Sequence, residues 1–367
     1  MFRIRVVRAL EEFLVLAGRW NVLLRETASD NIFLTWEWLY TWAKHYLADG
    51  QLWIVLVFKN DELIGIAPFC VGPRVTGMIK IREMRFLGSQ DVGSGNLDFI
   101  VRKQHKRVVL PAIYRHLHEE AAEAWDLLTL SEIPAESSSI ALWDLLVEEA
   151  GRVMEVAGTT VYPVIDLREG LEHFVASLSG NERSNLRRKQ RQLEGLGRVT
   201  YERVSSSQDV ERAMDLLIHL HQARWEQRGA AGVFGDDRRR MFHRDIARAF
   251  SEKGWLRLDF LILSGEAIAG VYGYGYGDRY SFYLPGLNST IAAKTSPGIL
   301  LLFRCVEEAV REGYNEFDLL KGAADYKMAW ASGLRRCVTL RYYNRHLRSA
   351  AVKALESGKS LIKILVR

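Results

Sequence analysis

The sequence has little that would commit it to a specialised class. It holds 3 cysteines in 367 residues, Cys70, Cys305 and Cys337. They lie far apart and without metal-ligand spacing, which excludes a disulfide scaffold and a zinc site and fits a reducing compartment. No apolar run approaches the ~18–20 residues that a membrane span needs. The opening residues, MFRIRVVRALEEF, lack an uninterrupted apolar stretch and a small-residue cleavage site, so no signal peptide is read there. Neither sign of charge dominates. Fifty basic residues stand against 45 acidic ones, a formal charge of +5, too weak a bias to imply DNA as a partner. What remains is an ordinary globular composition, 48% hydrophobic and 26% charged, long enough for two domains or one very large one. The expected setting is the cytoplasm.

Internal similarity is the strongest pattern. Two β-hairpins are read, LWIVLVF–Lys59-Asn60-Asp61–ELIGIAPF and LRLDFLIL–Ser264-Gly265–EAIAGVYGYGYG. Each turns on residues that tolerate positive φ. In the same order follow two helix-into-strand pieces, residues 114–128 and 303–320. The strands begin Trp125-Asp126-Leu127-Leu128 and Phe317-Asp318-Leu319-Leu320. Two collinear matches predict a duplicated hairpin–helix–strand unit over 52–131 and 255–320. Hairpins mixed with helices mean α+β rather than a doubly wound sheet. The pattern also predicts one helix over 10–25, separate strands over 153–157 and 161–166, and a domain boundary near 158–170.

Several segments carry chemistry. Ser296, Pro297, Gly298 and Ile299 form a helix start suited to an anion: a capping hydroxyl, a proline at the first position and a glycine that opens the backbone. A plain helix start reads equally well. Asp318, Lys321, Tyr326 and Lys327 gather where a strand hands over to a loop and a short helix, a common place for catalytic groups. An Asp318–Lys321 salt bridge is the structural alternative. His221, Arg224 and Trp225 share one helix face, and histidine is the side chain that acts as a base near neutrality; a solvated helix face is the plainer reading. Gly273, Gly275 and Gly277 alternate with Tyr272, Tyr274 and Tyr276, giving one bare and one aromatic face on a strand rather than a dinucleotide loop. Arg183, Arg187, Arg188, Lys189 and Arg191 crowd one helix, a patch for an anionic acceptor or a membrane surface, or simply a solvated surface.

The pattern Ser-Pro-Gly, helix, Phe-Asp-Leu-Leu-Lys-Gly-x-x-x-Tyr-Lys-x-x-Trp resembles the C-terminal half of the CelD/BcsL-type acetyltransferases. So does the upstream Leu-His-Gln-Ala-Arg-Trp … Arg-Gly … Val-Phe. These belong to the GNAT superfamily and are related to the FemABX aminoacyltransferases, which carry two GNAT-like units in tandem. The resemblance spans about residues 3–345 and is clearest over 171–345. In this sequence only Pro297-Gly298 stands where the family has its pyrophosphate loop.

The resemblance implies an α+β protein of two tandem GNAT-like units, each a mixed, largely antiparallel sheet flanked by helices. Units over 1–165 and 166–346 and a basic amphipathic tail over 347–367 are expected. It implies an acyltransferase that moves an acetyl or acyl group from acyl-CoA to an amine or hydroxyl of a sugar-like or envelope or exopolysaccharide precursor, with no permanent cofactor and no metal. His221 and Asp318 are the expected bases. Tyr326 is the expected acid, its pKa lowered by Lys321 or Lys327, and Lys327 would stabilise charge in the transition state. Ser296, Pro297, Gly298 and Ile299 would hold the donor; Arg224, Trp225 and Lys321 would hold the acceptor. Two alternatives are FemABX-like transfer from an aminoacyl-tRNA to a cell-wall precursor and an inactive scaffold in polysaccharide assembly. The tail, with Leu361, Ile362, Ile364, Leu365 and Val366 beside lysines, is read as a short helix broken near Gly358 and suited to weak membrane-surface contact.

Overall fold

The two predicted hairpin turns form as expected. Asn60 and Asp61 adopt φ of 49° and 66°, and Ser264 and Gly265 adopt 50° and 93°, the left-handed pair whose twist matches that of the flanking strands. The computed structural model describes residues 2–47, 50–204, 206–226 and 229–365. The chain forms two compact units, Met1–Thr160 with Arg336–Arg367, and Val161–Arg335.

Among the described residues the elements run in this order: β1 (Phe2–Val7), α1 (Leu10–Leu14), α2 (Ala17–Arg25), α3 (Trp36–Tyr46), β2 (Gln51–Lys59), β3 (Glu62–Thr76), β4 (Ile79–Phe86), β5 (Ile100–Val101), α4 (Lys106–Glu119), β6 (Leu127–Pro134) and α5 (Ser138–Glu149). Strand β7 (Glu155–Asp166) runs across the division. The second unit continues with α6 (Gly170–Ser177), α7 (Gly180–Glu194), β8 (Val199–Arg203), α8 (Val210–Glu226), α9 (Asp237–Glu252), β9 (Leu256–Leu263), β10 (Glu266–Tyr276), β11 (Arg279–Leu287), α10 (Ser289–Thr295), α11 (Pro297–Arg311), β12 (Glu316–Asp318) and α12 (Asp325–Trp330). Strand β13 (Gly333–Tyr343) and helix α13 (Leu347–Leu365) close the chain.

The fold is α+β, with largely antiparallel sheet flanked by helices. In the first unit β1, β2, β3 and β4 are antiparallel neighbours, β4 pairs β6 in parallel, and β6 pairs β13 antiparallel. In the second, β8, β9, β10 and β11 are antiparallel neighbours, β11 pairs β12 in parallel, and β12 pairs β7 antiparallel. The two halves therefore share one strand order. In both, a helix-containing crossover separates the members of the parallel pair, as parallel pairing demands.

Local chemistry sets several element ends. Ser179 caps α7 by accepting the Glu182 N–H at 3.1 Å, Asp236 caps α9 through the Arg238 N–H at 2.7 Å, and Asn288 caps α10 through the Thr290 N–H at 3.1 Å. The apolar face of α11, with Leu301, Leu302, Cys305, Val306 and Ala309, packs on Ile268, Val271, Phe282 and Phe317 to form the core of the second unit.

Three expectations are corrected. Residues 10–25 form two helices, because the chain breaks at Val15–Leu16. The strands expected at 153–157 and 161–166 are one strand, β7. Helix α13 runs through Gly358 to Leu365. In the first unit it is held by Glu356, whose carboxylate accepts from Arg74 at 2.7 Å, Arg341 at 2.9 Å and the Tyr343 hydroxyl at 2.8 Å. The side chains of the tail's apolar cluster, Leu361 to Val366, lie outside the described residues. No described helix is long and apolar enough to cross a membrane.

Candidate active site

The site builds around the place where β11 and β12 part. They pair only over Arg279–Ser281 and Glu316–Asp318. Beyond that register β11 carries a bulge: Tyr272 faces Leu284 and Gly273 faces Phe282, which leaves Tyr283 as the extra residue. A bulge interrupts the ladder and re-aims the strand, and such features concentrate beside active sites.

Strand β12 ends at Asp318, and the chain then turns sharply. Leu320 is held at φ 56°, a left-handed conformation that a bulky residue takes only under constraint. Asp318 supplies the constraint. Its Oδ1 accepts the Leu320 N–H at 2.8 Å, and its Oδ2 accepts from Arg335 Nη1 at 2.9 Å. Arg335 also donates to both Glu316 oxygens at 2.7 Å. Burial pushes the Asp318 carboxyl pKa up, and Arg335 opposes that shift. Both oxygens are thus committed, so Asp318 serves as the anchor of the turn rather than as the expected base; its ionic partner is Arg335 instead of Lys321.

The turn presents two carbonyls to Lys327, whose Nζ donates to Lys321 O at 2.9 Å and Leu320 O at 3.4 Å. Burial lowers the Lys327 pKa from 10.5 to about 8, with Asp318 working in the opposite direction. Tyr326, the neighbouring residue of α12, has its pKa raised by burial, with Arg224 opposing. The lowering expected from a lysine neighbour is not what its surroundings impose, and the cation that acts on it is Arg224 of α8. Asp318, Lys321, Tyr326, Lys327 and Arg224 therefore gather at the end of β12.

His221 is elsewhere engaged. It is 2% exposed; its Nδ1 lies 3.1 Å from Pro285 O, and its Nε2 accepts the Val233 N–H at 3.2 Å. Burial lowers its pKa. With the lone pair taken by a backbone donor, the imidazole is a neutral tie between α8, the end of β11 and the following loop, which corrects its reading as a base. Gln222 donates to Ala231 O at 2.9 Å and fastens the same loop, which brings Phe234 into the core. The Leu-His-Gln-Ala-Arg-Trp motif thus has two residues that hold a loop and two, Arg224 and Trp225, that stay half-buried on α8.

The helix start at Ser296 departs from the anion cradle read in the sequence. Ser296 is left-handed at φ 52° and makes no side-chain cap. Pro297 has no N–H, and the Ile299 N–H is used by Ser296 O at 3.1 Å. A Cβ on Gly298 would lie 2.7 Å from Leu287 Cδ2, so the missing side chain makes room for the protein's own leucine. The bare face of β10 is likewise filled: a Cβ on Gly275 would overlap the Tyr314 hydroxyl, and Tyr272 and Tyr274 are fully buried. On the basic helix, Arg183 donates to Ala176 O at 2.9 Å and Leu178 O at 2.7 Å, tying down the end of α6. Arg335, Glu316 and the bulged Tyr283 were missed. Arg335 carries no signal of its own in the sequence, because it lies 17 residues from Asp318 and meets it only through tertiary folding.

Residues 180–328 match the GNAT acetyltransferase domain. No curated protein matches the chain. Among solved structures, FemX aligns with a TM-score of 0.65 at 12% identity, over 96% of this chain and 100% of FemX. L-PGS from Bacillus licheniformis aligns at 0.53 and 14%, over 94% and 96%. A tandem GNAT protein from the clavulanic acid biosynthesis pathway aligns at 0.51 and 11%, over 94% and 99%. At these identities the likeness is one of fold.

Proposed function

We propose that the second unit transfers an acyl group to an amine or hydroxyl acceptor and that Lys327 moves the proton. The observation that carries this reading is the Lys327 amine, with its pKa near 8, held by two carbonyls of the strained Leu320 turn inside the matched acetyltransferase domain. A neutral amine has two N–H donors and one lone pair. Once both donors are spent on Lys321 O and Leu320 O, the lone pair is directed away from them.

The acceptor lone pair attacks the acyl carbonyl, and a C–N or C–O bond forms. The proton shed by the acceptor passes to Lys327. The intermediate then collapses, the C–S bond breaks, and the thiolate takes that proton from the Lys327 ammonium. A group near pKa 8 and a thiol near 8.5 are matched for this return. A buried tyrosine would have to give up its proton uphill by more than ~1.5 units, so Tyr326 is assigned to orienting the substrate. Arg224, Trp225 and Lys321 border the acceptor.

An acyl-CoA is the donor in this reading, and a sugar-like or envelope or exopolysaccharide precursor is the acceptor, in line with the CelD/BcsL resemblance. Aminoacyl-tRNA transfer of the FemABX kind is the second reading. It is favoured by one observation, that Leu287 lies where a Gly298 side chain would stand, which accounts for the glycine without a donor. The test is thiol release from acetyl-CoA with amino-sugar acceptors, beside calorimetric binding of acetyl-CoA. Turnover that vanishes in Lys327→Met supports the proposal. Absence of acetyl-CoA binding at about 1 mM, with aminoacyl transfer from charged tRNA, would move the assignment to the second reading.

A further inference from the structure

The first unit holds a cavity of about 640 Å³ that the acyl-transfer proposal leaves unused. It lies at the start of β4, where Lys80 and Arg82 emerge, and is bordered by Arg348 from α13 and by Trp53, Pro73 and Ile81. Its volume is that of a small-ligand pocket.

Its charge is one-sided. The lining contains three cations, Lys80, Arg82 and Arg348, and no carboxylate. Behind it, the fully buried Asp126 takes Arg82 in two contacts at 3.1 Å and lies 3.9 Å from Arg348. One carboxylate therefore faces two guanidiniums. Glu123 adds a further, weaker attraction on Arg82. Lys80 is exposed and has no side-chain partner among the described residues. A fourth cation adds to the excess: the Arg8 guanidinium stacks 4.1 Å from the centroid of Trp53, and no carboxylate pairs with it among the described residues. The opposite wall is apolar, formed by Trp53, which is 5% exposed, with Pro73 and Ile81.

We infer that this cavity binds a phosphate ester attached to a planar or apolar group. The phosphate would meet Lys80 and Arg348, with Arg82 held behind them by Asp126 and the Glu123 carbonyl, and the attached group would lie against Pro73 and the exposed edge of Trp53. A phosphate matches the arrangement because it brings up to two charges and several acceptor oxygens to the Lys80 ammonium and to the Arg348 guanidinium, which accepts planar, two-pronged pairing. A free phosphorylated metabolite and a lipid headgroup share this chemistry, and α13 borders the cavity, so both sources are within reach of the same cations.

The test uses the full chain and three probes: inorganic phosphate, phenyl phosphate, and phosphatidylcholine vesicles with and without phosphatidylglycerol. Binding is read by calorimetry and co-sedimentation. The localising variant is Lys80→Glu with Arg348→Glu. Both positions are exposed, and an unchanged melting midpoint verifies the fold; Arg82 is left intact because it neutralises the buried Asp126.

Phenyl phosphate should bind more tightly than inorganic phosphate, and the double reversal should weaken it at least about tenfold. Binding confined to phosphatidylglycerol vesicles and lost in the variant identifies a lipid source; soluble binding lost in the variant identifies a metabolite. No binding of any probe below about 10 mM, or binding that the double reversal leaves unchanged, would overturn the inference. Phenyl phosphate binding no better than inorganic phosphate would overturn its apolar half.

Discussion

The two units share a strand order and differ at the end of their parallel pair. In the first, β4 stops at Phe86, one residue beyond the last pairing of Arg85 with Thr129, and the β3–β4 ladder runs without a register shift. By pairing register Thr129, three residues beyond the Asp126 that the sequence match sets against Asp318, holds the place that Asp318 holds in the second unit, and its hydroxyl donates to Glu83 at 2.6 Å. Strand β6 continues to Pro134, whereas β12 ends at Asp318. In the second unit β11 bulges, β12 stops, and the turn at Leu320 presents its carbonyls to an amine. The lesson is that one scaffold becomes a candidate catalyst by ending a strand early and anchoring the turn with a buried carboxylate. In the other unit the same position is closed by a hydroxyl–carboxylate bond.

The basic residues differ in the same way. In the first unit Arg102 is spent on Glu26 and Glu62, both at 2.7 Å, and Lys106 donates to Ser138 at 2.8 Å. Beside the Trp53 cavity, Arg82 is likewise spent on Asp126, and Lys80 has no side-chain partner among the described residues.

The largest expected effect separates the halves directly. Lys327→Met should lower turnover by roughly 10²–10⁴, the range for removal of a general base, with no change in melting midpoint. Thr129→Val, at the counterpart of Asp318, should leave turnover within about twofold. Equal losses in steady-state assays would mean that both halves take part in the chemistry.

The next effect concerns pH. A Lys327 with a pKa of about 8 is only about one-tenth neutral at pH 7, so kcat should rise with pH and level off above about 8. Asp318 opposes the burial that lowers this pKa. In Asp318→Asn the rising limb should therefore move to lower pH, while kcat on the plateau falls about tenfold because the Leu320 turn loosens. A limb that stays in place would remove Asp318 from the control of Lys327.

These contrasts also mark what could be read in the sequence. The hairpins were legible because Asn60-Asp61 and Ser264-Gly265 announce their turns, and the duplication was legible because apolar runs recur in the same order. The gathering of Asp318, Lys321, Tyr326 and Lys327 was legible because they are close in sequence. What was hidden depends on distant partners. Arg335 closes on Asp318 only after β12 and the segment leading into β13 come together. The lone pair of His221 is taken by the backbone of Val233, which composition cannot reveal. The role of Gly298 was not legible because a glycine at a helix start looks the same whether it makes room for a ligand or for Leu287.

A smaller effect falls in the first unit. Glu356 joins α13 to Arg74, Arg341 and Tyr343, and these partners, against the opposing effect of burial, hold its pKa below 4.5. Glu356→Gln should cost about 1–3 kcal/mol and expose α13 to protease while leaving turnover at Lys327 unchanged. Because the folded pKa is the lower one, the contribution is present above the unfolded value near 4.5 and is lost as pH falls through the folded value. Wild type and variant should thus converge in stability in acid. A constant gap would mean that shape rather than charge holds the helix.

The smallest effect is expected at Gly298. A methyl there would lie 2.7 Å from Leu287 Cδ2 and 3.3 Å from Cδ1, at the end of a flexible, half-buried side chain that yields by rotating. The cost of moving Leu287 is offset by alanine's helix preference over glycine, about 1 kcal/mol, so the melting midpoint of Gly298→Ala should shift little. In the first unit, a methyl on Gly65 would lie 2.4 Å from Val109 Cγ1. Val109 is fully buried and β-branched, with one strongly preferred rotamer in a helix; Gly65→Ala should therefore destabilise by about 1–3 kcal/mol. If Leu287 is the true occupant of the space beside Gly298, donor affinity in Gly298→Ala should change by less than about threefold, a few tenths of a kcal/mol. A loss beyond tenfold at an unchanged melting midpoint would mean that the helix start does meet the donor, which would restore the anion cradle and weaken the aminoacyl-tRNA reading.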